Sequence, residues 1–96
     1  MKFMVTWRVH EDKRDDALKA FSAMTPEDDK ADLGDVKLIG RWHDLVTFCG
    51  MAIAEADSVE AISNWLMNWN SIIDLEVVPV LDDAETRAVG RQRYAR

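Results

Sequence analysis

The chain has little of what makes cross-links, metal centres or contacts to polyanions. Its single cysteine, Cys49, excludes an intrachain disulfide framework and fits a reducing, cytoplasmic compartment. Two histidines, His10 and His43, with no cysteine partner at ligand spacing, leave no structural metal site to expect. Positive charge is the scarcer sign: 12 Lys+Arg stand against 18 Asp+Glu, a formal −6. Phosphate contacts need a clustered positive footprint, so this balance argues against nucleic acid as a partner. No apolar run approaches the roughly 20 residues of a membrane span, so no membrane partner is expected. Arg8 and His10 interrupt the apolar start before a signal-peptide core could form. A Gly-rich phosphate loop, a nucleophile elbow and a paired-histidine helix are all missing, and no cofactor is expected.

What is present is ordinary for a globular domain: 48 % hydrophobic and 31 % charged residues in 96 positions, enough for one core, hence a single domain over residues 1–96. Residues 2–9 alternate, with Phe3, Val5, Trp7 and Val9 on one side, the pattern of a half-buried strand. Residues 11–24 switch to helical spacing through Arg14, Ala17, Leu18, Phe21 and Met24. Thr25-Pro26 is read as the end of that helix, and residues 27–35 as a polar loop with five acids.

Residues 36–42 predict a second strand, with Val36, Leu38, Gly40 and Trp42 on one face and Lys37, Ile39 and Arg41 on the other. Residues 43–45 are read as a turn and 46–55 as a third strand. The parity of that turn decides which face takes Cys49, since a one-residue slip reverses every side chain. Asp57-Ser58-Val59-Glu60 has capping-box spacing ahead of a helix with the stripe Val59, Ile62, Trp65, Leu66 and Trp69. Residues 72–81 predict a last strand, held to an edge by Pro79. Residues 82–96 read as a short helix to about Val89, after which Gly90 releases a basic tail. The order β-α-β-β-α-β predicts an α+β, ferredoxin-like plait: a four-stranded antiparallel sheet with two helices on one face. Its other face, where Met4, Ile39, Val78 and Val80 lie among Lys2, Arg8, Lys37, Arg41, Asp74 and Glu76, needs a cover. A homodimer through this open sheet face is the expected one.

Four stretches are similar to the domain-of-unknown-function family numbered 3303, a set of bacterial domains of about this length. They are Met1-Lys2-Phe3-Met4-Val5-Thr6-Trp7; Val36-Lys37-Leu38-Ile39-Gly40-Arg41-Trp42-His43; Ala61-Ile62-Ser63-Asn64-Trp65-Leu66-Met67-Asn68-Trp69; and Glu76-Val77-Val78-Pro79-Val80 with Asp82-Asp83. The resemblance implies a dimeric α/β barrel of two face-to-face sheets and no established activity. The wider superfamily holds cofactor-independent monooxygenases, isomerases and small-molecule-binding domains, and fold does not choose among them. Members often carry an Asp-Gly turn between the second and third strands; this chain reads Asp44-Leu45-Val46-Thr47.

Two clusters could carry chemistry. Arg41-Trp42-His43 joins a residue that titrates near neutral pH to a bidentate anion binder. Its bland counterpart has Arg41 paired with Glu76 or a subunit acid, His43 exposed at a turn and Trp42 in the core. Trp7, Trp42, Trp65 and Trp69 are the second cluster. They line a flat pocket for a small aromatic or anionic ligand, or they fill a small core. The candidate ligand-binding set is therefore Trp7, Arg41, Trp42, His43, Trp65 and Trp69, with His43 and Arg41 as the candidate catalytic pair. Whether the chain is an enzyme stays open on sequence. Cys49 is read as buried and inert. Residues 85–96 hold four arginines against Glu85, while the first 84 residues carry 17 acids and 8 bases. The tail is read as lying on an acidic surface of its own or a partner subunit, such as residues 27–35.

Overall fold

The alternating start forms β1 (Lys2–Val9), which sits between two neighbours and buries Phe3, Val5 and Val9. In the computed structural model, which describes residues 1–95, a short 3-10 turn leads into α1 (Arg14–Ser22). Then follow α2 (Pro26–Leu33), β2 (Lys37–Asp44), β3 (Cys49–Glu55), α3 (Val59–Leu66), β4 (Ile73–Val80) and α4 (Asp83–Tyr94). The sheet is antiparallel throughout, in the order β2-β3-β1-β4. The architecture is α+β, and the open four-stranded sheet fits a ferredoxin-like plait. Residues 1–95 hold four α-helices where the sequence predicts three.

The additional helix is α2, in the segment read as a loop. Thr25-Pro26 does not merely close the preceding helix; it opens the next. Pro26 takes the first helical position, where a missing N–H is harmless. The Thr25 hydroxyl accepts from the Asp28 amide at 3.1 Å, and the Asp28 carboxylate accepts from the Thr25 amide at 3.0 Å. The five acids expected in a loop thus lie on and just beyond a helix. A similar shift of one residue affects α3, whose cap is Ser58, accepting from the Ala61 amide at 3.2 Å, and not Asp57.

β2 departs from strict alternation. Leu38 pairs with Ala54, but Gly40 pairs with Ile53, so Ile39 is an extra residue in a β-bulge. Beyond the bulge the parity is reversed: Arg41 stands opposite the fully buried Ala52 and His43 opposite Gly50, on the helix-covered face. Trp42 instead lies on the open face, 60 % exposed. This corrects the expected placement of both Arg41, expected on the open face, and Trp42, expected with the core. The loop over residues 45–48 is even in length and sets Cys49, Met51 and Ile53 on the face of Trp42, while the bulge keeps Leu38 on the other.

The core lies between the sheet and α3: Phe3, Val5, Ala52, Ala54, Ile62, Trp65 and Leu66, joined by Val36 and Ala56. Glycine admits an indole flat against each face of the sheet. A Cβ on Gly50 would meet the Trp7 ring at 2.3 Å, and one on Gly40 would meet the Trp42 ring at the same distance. At the other end of the chain, Gly90 does not release a tail: α4 runs through it to Tyr94. Asp82 and Glu85 form the α4 capping box, with the Glu85 amide donating to Asp82 at 2.8 Å. Lys2 bonds Glu85 and pairs with Asp82, both at 3.4 Å, which anchors this start to β1.

Candidate functional site

Reversed parity after the bulge turns β2 from a plain edge strand into one wall of an apolar cleft. The cleft lies between the sheet, α1 and the end of α3, is open to solvent, and leaves ≈ 90 Å³ for the centres of water-sized spheres. Val5, Trp7 and Leu75 form its floor, Ala17 and Phe21 of α1 one side, and Trp65, Leu66 and Trp69 another. Its two charged side chains, Arg41 and Asp44, and its imidazole, His43, come from the last half of β2, and Cys49 of β3 joins the lining. Of the six residues expected to bind a ligand, the fold brings Trp7, Arg41, His43, Trp65 and Trp69 to this cleft. It leaves Trp42 across the sheet.

The aromatic groups meet at their edges. His43 lies 4.9 Å from Phe21 and 5.7 Å from Trp7 between ring centroids, and Phe21 reaches Trp69 at 6.4 Å. The Arg41 guanidinium sits 4.7 Å over the Phe21 ring, and its Nη2 pairs with Asp29 of α2 at 3.1 Å. Asp29, and not Glu76, is therefore the subunit acid that Arg41 meets. Holding the guanidinium between a ring and a carboxylate fixes the fork while leaving its charge partly offset. His43 is exposed at the mouth of the cleft; partial desolvation there, and then the Arg41 charge, hold its pKa below the ordinary 6.5, so the ring is neutral at neutral pH.

The two tryptophans of the α3 region are held by an acid of the segment 27–35, expected as a loop and found on α2. Asp32 of α2 accepts from the Trp65 indole at 3.1 Å, from the Trp69 indole at 2.9 and 3.0 Å, and from the Asn68 amide at 2.9 Å. Both indole N–H groups are thus satisfied within the subunit, and what remains toward the cleft is ring surface. The signal for this clamp was the spacing Thr25-Pro26-x-Asp28, which places Asp29 and Asp32 one turn apart on a helix.

The turn after β2 also differs from expectation. Asp44 begins it, accepting from the Val46 and Thr47 amides at 2.9 and 3.2 Å and from the Thr47 hydroxyl at 2.7 Å. The hydroxyl bond, with the two amides, holds the Asp44 carboxyl below its ordinary value. The left-handed residue is Phe48, at φ 53°. So the chain closes this turn without the glycine of an Asp-Gly pair. Phe48 also lines the cleft, and the Arg14 guanidinium lies 5.3 Å over its ring. Cys49, read as buried, is half-buried, with Sγ 3.6 Å from the Thr47 carbonyl.

The sheet, the Gly-Arg-Trp-His bulge strand and the Trp-x-x-x-Trp segment now stand together over nearly the whole chain, and a family model matches residues 1–94. The chain belongs to the domain-of-unknown-function family DUF3303. Membership in DUF3303 confers no activity, and no curated protein matches the chain. No helix of the described residues is long and apolar enough to cross a membrane. Among them, no three His, Cys, Asp or Glu side chains gather at metal-binding range.

Proposed function

We propose that the cleft binds a small aromatic metabolite whose anionic or polar edge meets Arg41 and His43, without turnover being established. The observation that supports this reading is the segregation within the cleft: rings on most walls, and an arginine and a neutral histidine together at one end. An apolar body with few convergent polar groups is what small-molecule sites offer. The test is intrinsic fluorescence, since Trp7, Trp65 and Trp69 line the cleft. Titration with a panel of flat aromatic carboxylates gives saturable quenching, weakened about tenfold in Arg41→Gln. A flat response across the panel overturns the reading and leaves the rings as core.

A second reading is a cofactor-independent oxygenase or isomerase, supported by the neutral imidazole. Here His43 moves a proton next to a carbonyl and Arg41 steadies the oxyanion. Once a turned-over substrate is found, a His43→Gln variant as active as the natural chain removes histidine from the mechanism.

The open sheet face supports a homodimer. Trp42 at 60 %, Ile39 at 50 % and Val78 at 46 % exposure form an apolar surface that a second copy covers, sheet to sheet, in the manner of an α/β barrel. Sedimentation at micromolar concentration shows about twice 11.0 kDa, and Trp42→Lys shifts the chain toward monomer. A clean monomer overturns the dimer, and with it a purely structural role for this face. A cytoplasmic location is proposed on the single, unbridged Cys49.

A further inference from the structure

The element that neither the cleft nor the sheet dimer uses is α4. It has no buried residue, and Val89 and Tyr94 are 54 % and 82 % exposed. The chain accordingly extends 55 Å in its longest dimension, with a radius of gyration of 15.7 Å. A compact chain of this length has about 12–13 Å. Isolated helices of about a dozen residues are marginal in water, and an interior glycine weakens them further. Gly90 stands inside α4, and beyond its chain neighbours and its own helix backbone no atom lies within 4 Å of where its Cβ would be. So α4 is well capped and anchored at its first turn, but nothing in its own subunit packs along its length.

Its chemistry indicates the partner. Arg87, Arg91 and Tyr94 recur at helical spacing on one side. Arg87 has only a long 3.9 Å pair with Asp83, and Arg91 and Arg93 have no ion pair among the described residues. The opposite charge is concentrated at the start of the helical layer. Asp12, Asp15 and Asp16 are exposed and also unpaired among the described residues. The exposed Leu18, Ser22 and Ala23 line a shallow groove along α1, with Asp15 as its one acid and Lys19 as its one cation. The exposed Asp12, Asp15 and Asp16 at the start of α1, with Leu18 beside them, fit the side of α4 that carries Arg87, Arg91 and Tyr94; Val89, two residues from each arginine, faces the other way.

We propose that α4 is an arm whose Arg87, Arg91 and Tyr94 side packs along the aspartate-bearing start of α1 on a second copy of the chain. The exposed helix then gains the tertiary contacts it lacks, and the acidic body and basic end neutralise each other between subunits. This goes beyond the sheet-face dimer and uses other residues.

Photo-crosslinking tests it on the full chain. Benzoylphenylalanine replaces Tyr94, and light and heavy isotopic copies are mixed so that mass spectrometry separates links between chains from links within one. Links between chains that map to residues 11–23 are expected; links confined to one chain, or none, overturn the arm. In parallel, the charge reversals R87E/R91E and D15K/D16K each raise the dimer Kd about tenfold or more at low salt, and an equimolar mixture of the two restores association. An unchanged Kd in both variants overturns the proposal. Rescue in the mixture is a readout that loss of the sheet-face contact would not produce. Retention of the intact chain on anionic vesicles or DNA, without interchain links, also overturns it and assigns the arginines to a polyanion.

Discussion

The two faces of the sheet each carry a tryptophan lying over a glycine, yet the two tryptophans have opposite surroundings. Trp7 over Gly50 is roofed by α1 and α3 and borders His43; Trp42 over Gly40 is open to solvent. The difference is made by Ile39, the extra residue of the β2 bulge. It exchanges an indole for an arginine and a histidine on the inner face. The cleft owes its polar end to that exchange. A bulge is thus a means of re-aiming side chains without altering the strand order.

Substitutions on the two faces break or sharpen this contrast. The largest effect is expected at Trp65, 4 % exposed: Trp65→Ala lowers stability by about 3–5 kcal/mol, whereas Trp42→Ala changes the subunit's own stability by less than about 1 kcal/mol. Urea denaturation at low protein concentration measures both, and equal losses would erase the distinction between inner and outer face.

Next comes the clamp beneath the inner face. Asp32→Ala strands two indole N–H groups and the Asn68 amide, for a loss of roughly 2–3 kcal/mol. A loss under about 0.5 kcal/mol would show that water replaces the carboxylate with ease.

The glycines give a smaller contrast. Gly50→Ala drives a methyl into the packed Trp7 ring and the Trp42 carbonyl and costs about 1–3 kcal/mol. Gly40→Ala meets only an exposed indole that can swing away, for less than about 1 kcal/mol.

The smallest effect is that of pH. The folded His43 value lies below 6.5 and the unfolded one at 6.5, so the unfolded state takes the proton first. The His43 contribution is complete above pH 6.5 and falls as pH drops from 6.5 toward the folded value. An NMR titration of the ring places its midpoint below 6.5. Because partial desolvation is the leading cause and the Arg41 charge the second, Arg41→Gln moves that midpoint only part of the way back.

Much of the fold was legible because it rests on local periodicity. The alternation of Phe3, Val5, Trp7 and Val9 needs no distant information, and neither does the stripe Ile62, Trp65 and Leu66 or the edge placement implied by Pro79. Two readings failed where one local signal has two outcomes. A proline ends the helix before it and equally begins the next; Thr25 and Asp28 decide for the second by reciprocal hydrogen bonds. Glycine likewise ends a helix or is carried inside one, as Gly90 is.

The candidate site was legible in its residue types but not in its geometry. Trp7, Trp65, Trp69, Arg41 and His43 could be chosen from the chain by chemistry alone. Their common cleft depended on the pairing of Gly40 with Ile53 across strands, a contact between residues 13 apart in sequence that alternation within β2 does not encode. The same holds for Asp32, whose value lies in indoles more than 30 residues away. Sequence by itself determined the strands, the helical stripes and the surplus of acid in the body of the chain, because these follow from the period and charge of neighbouring residues. Tertiary structure decided which face each side chain of β2 serves and which acid holds which tryptophan, because register and reach are properties of paired strands and packed helices.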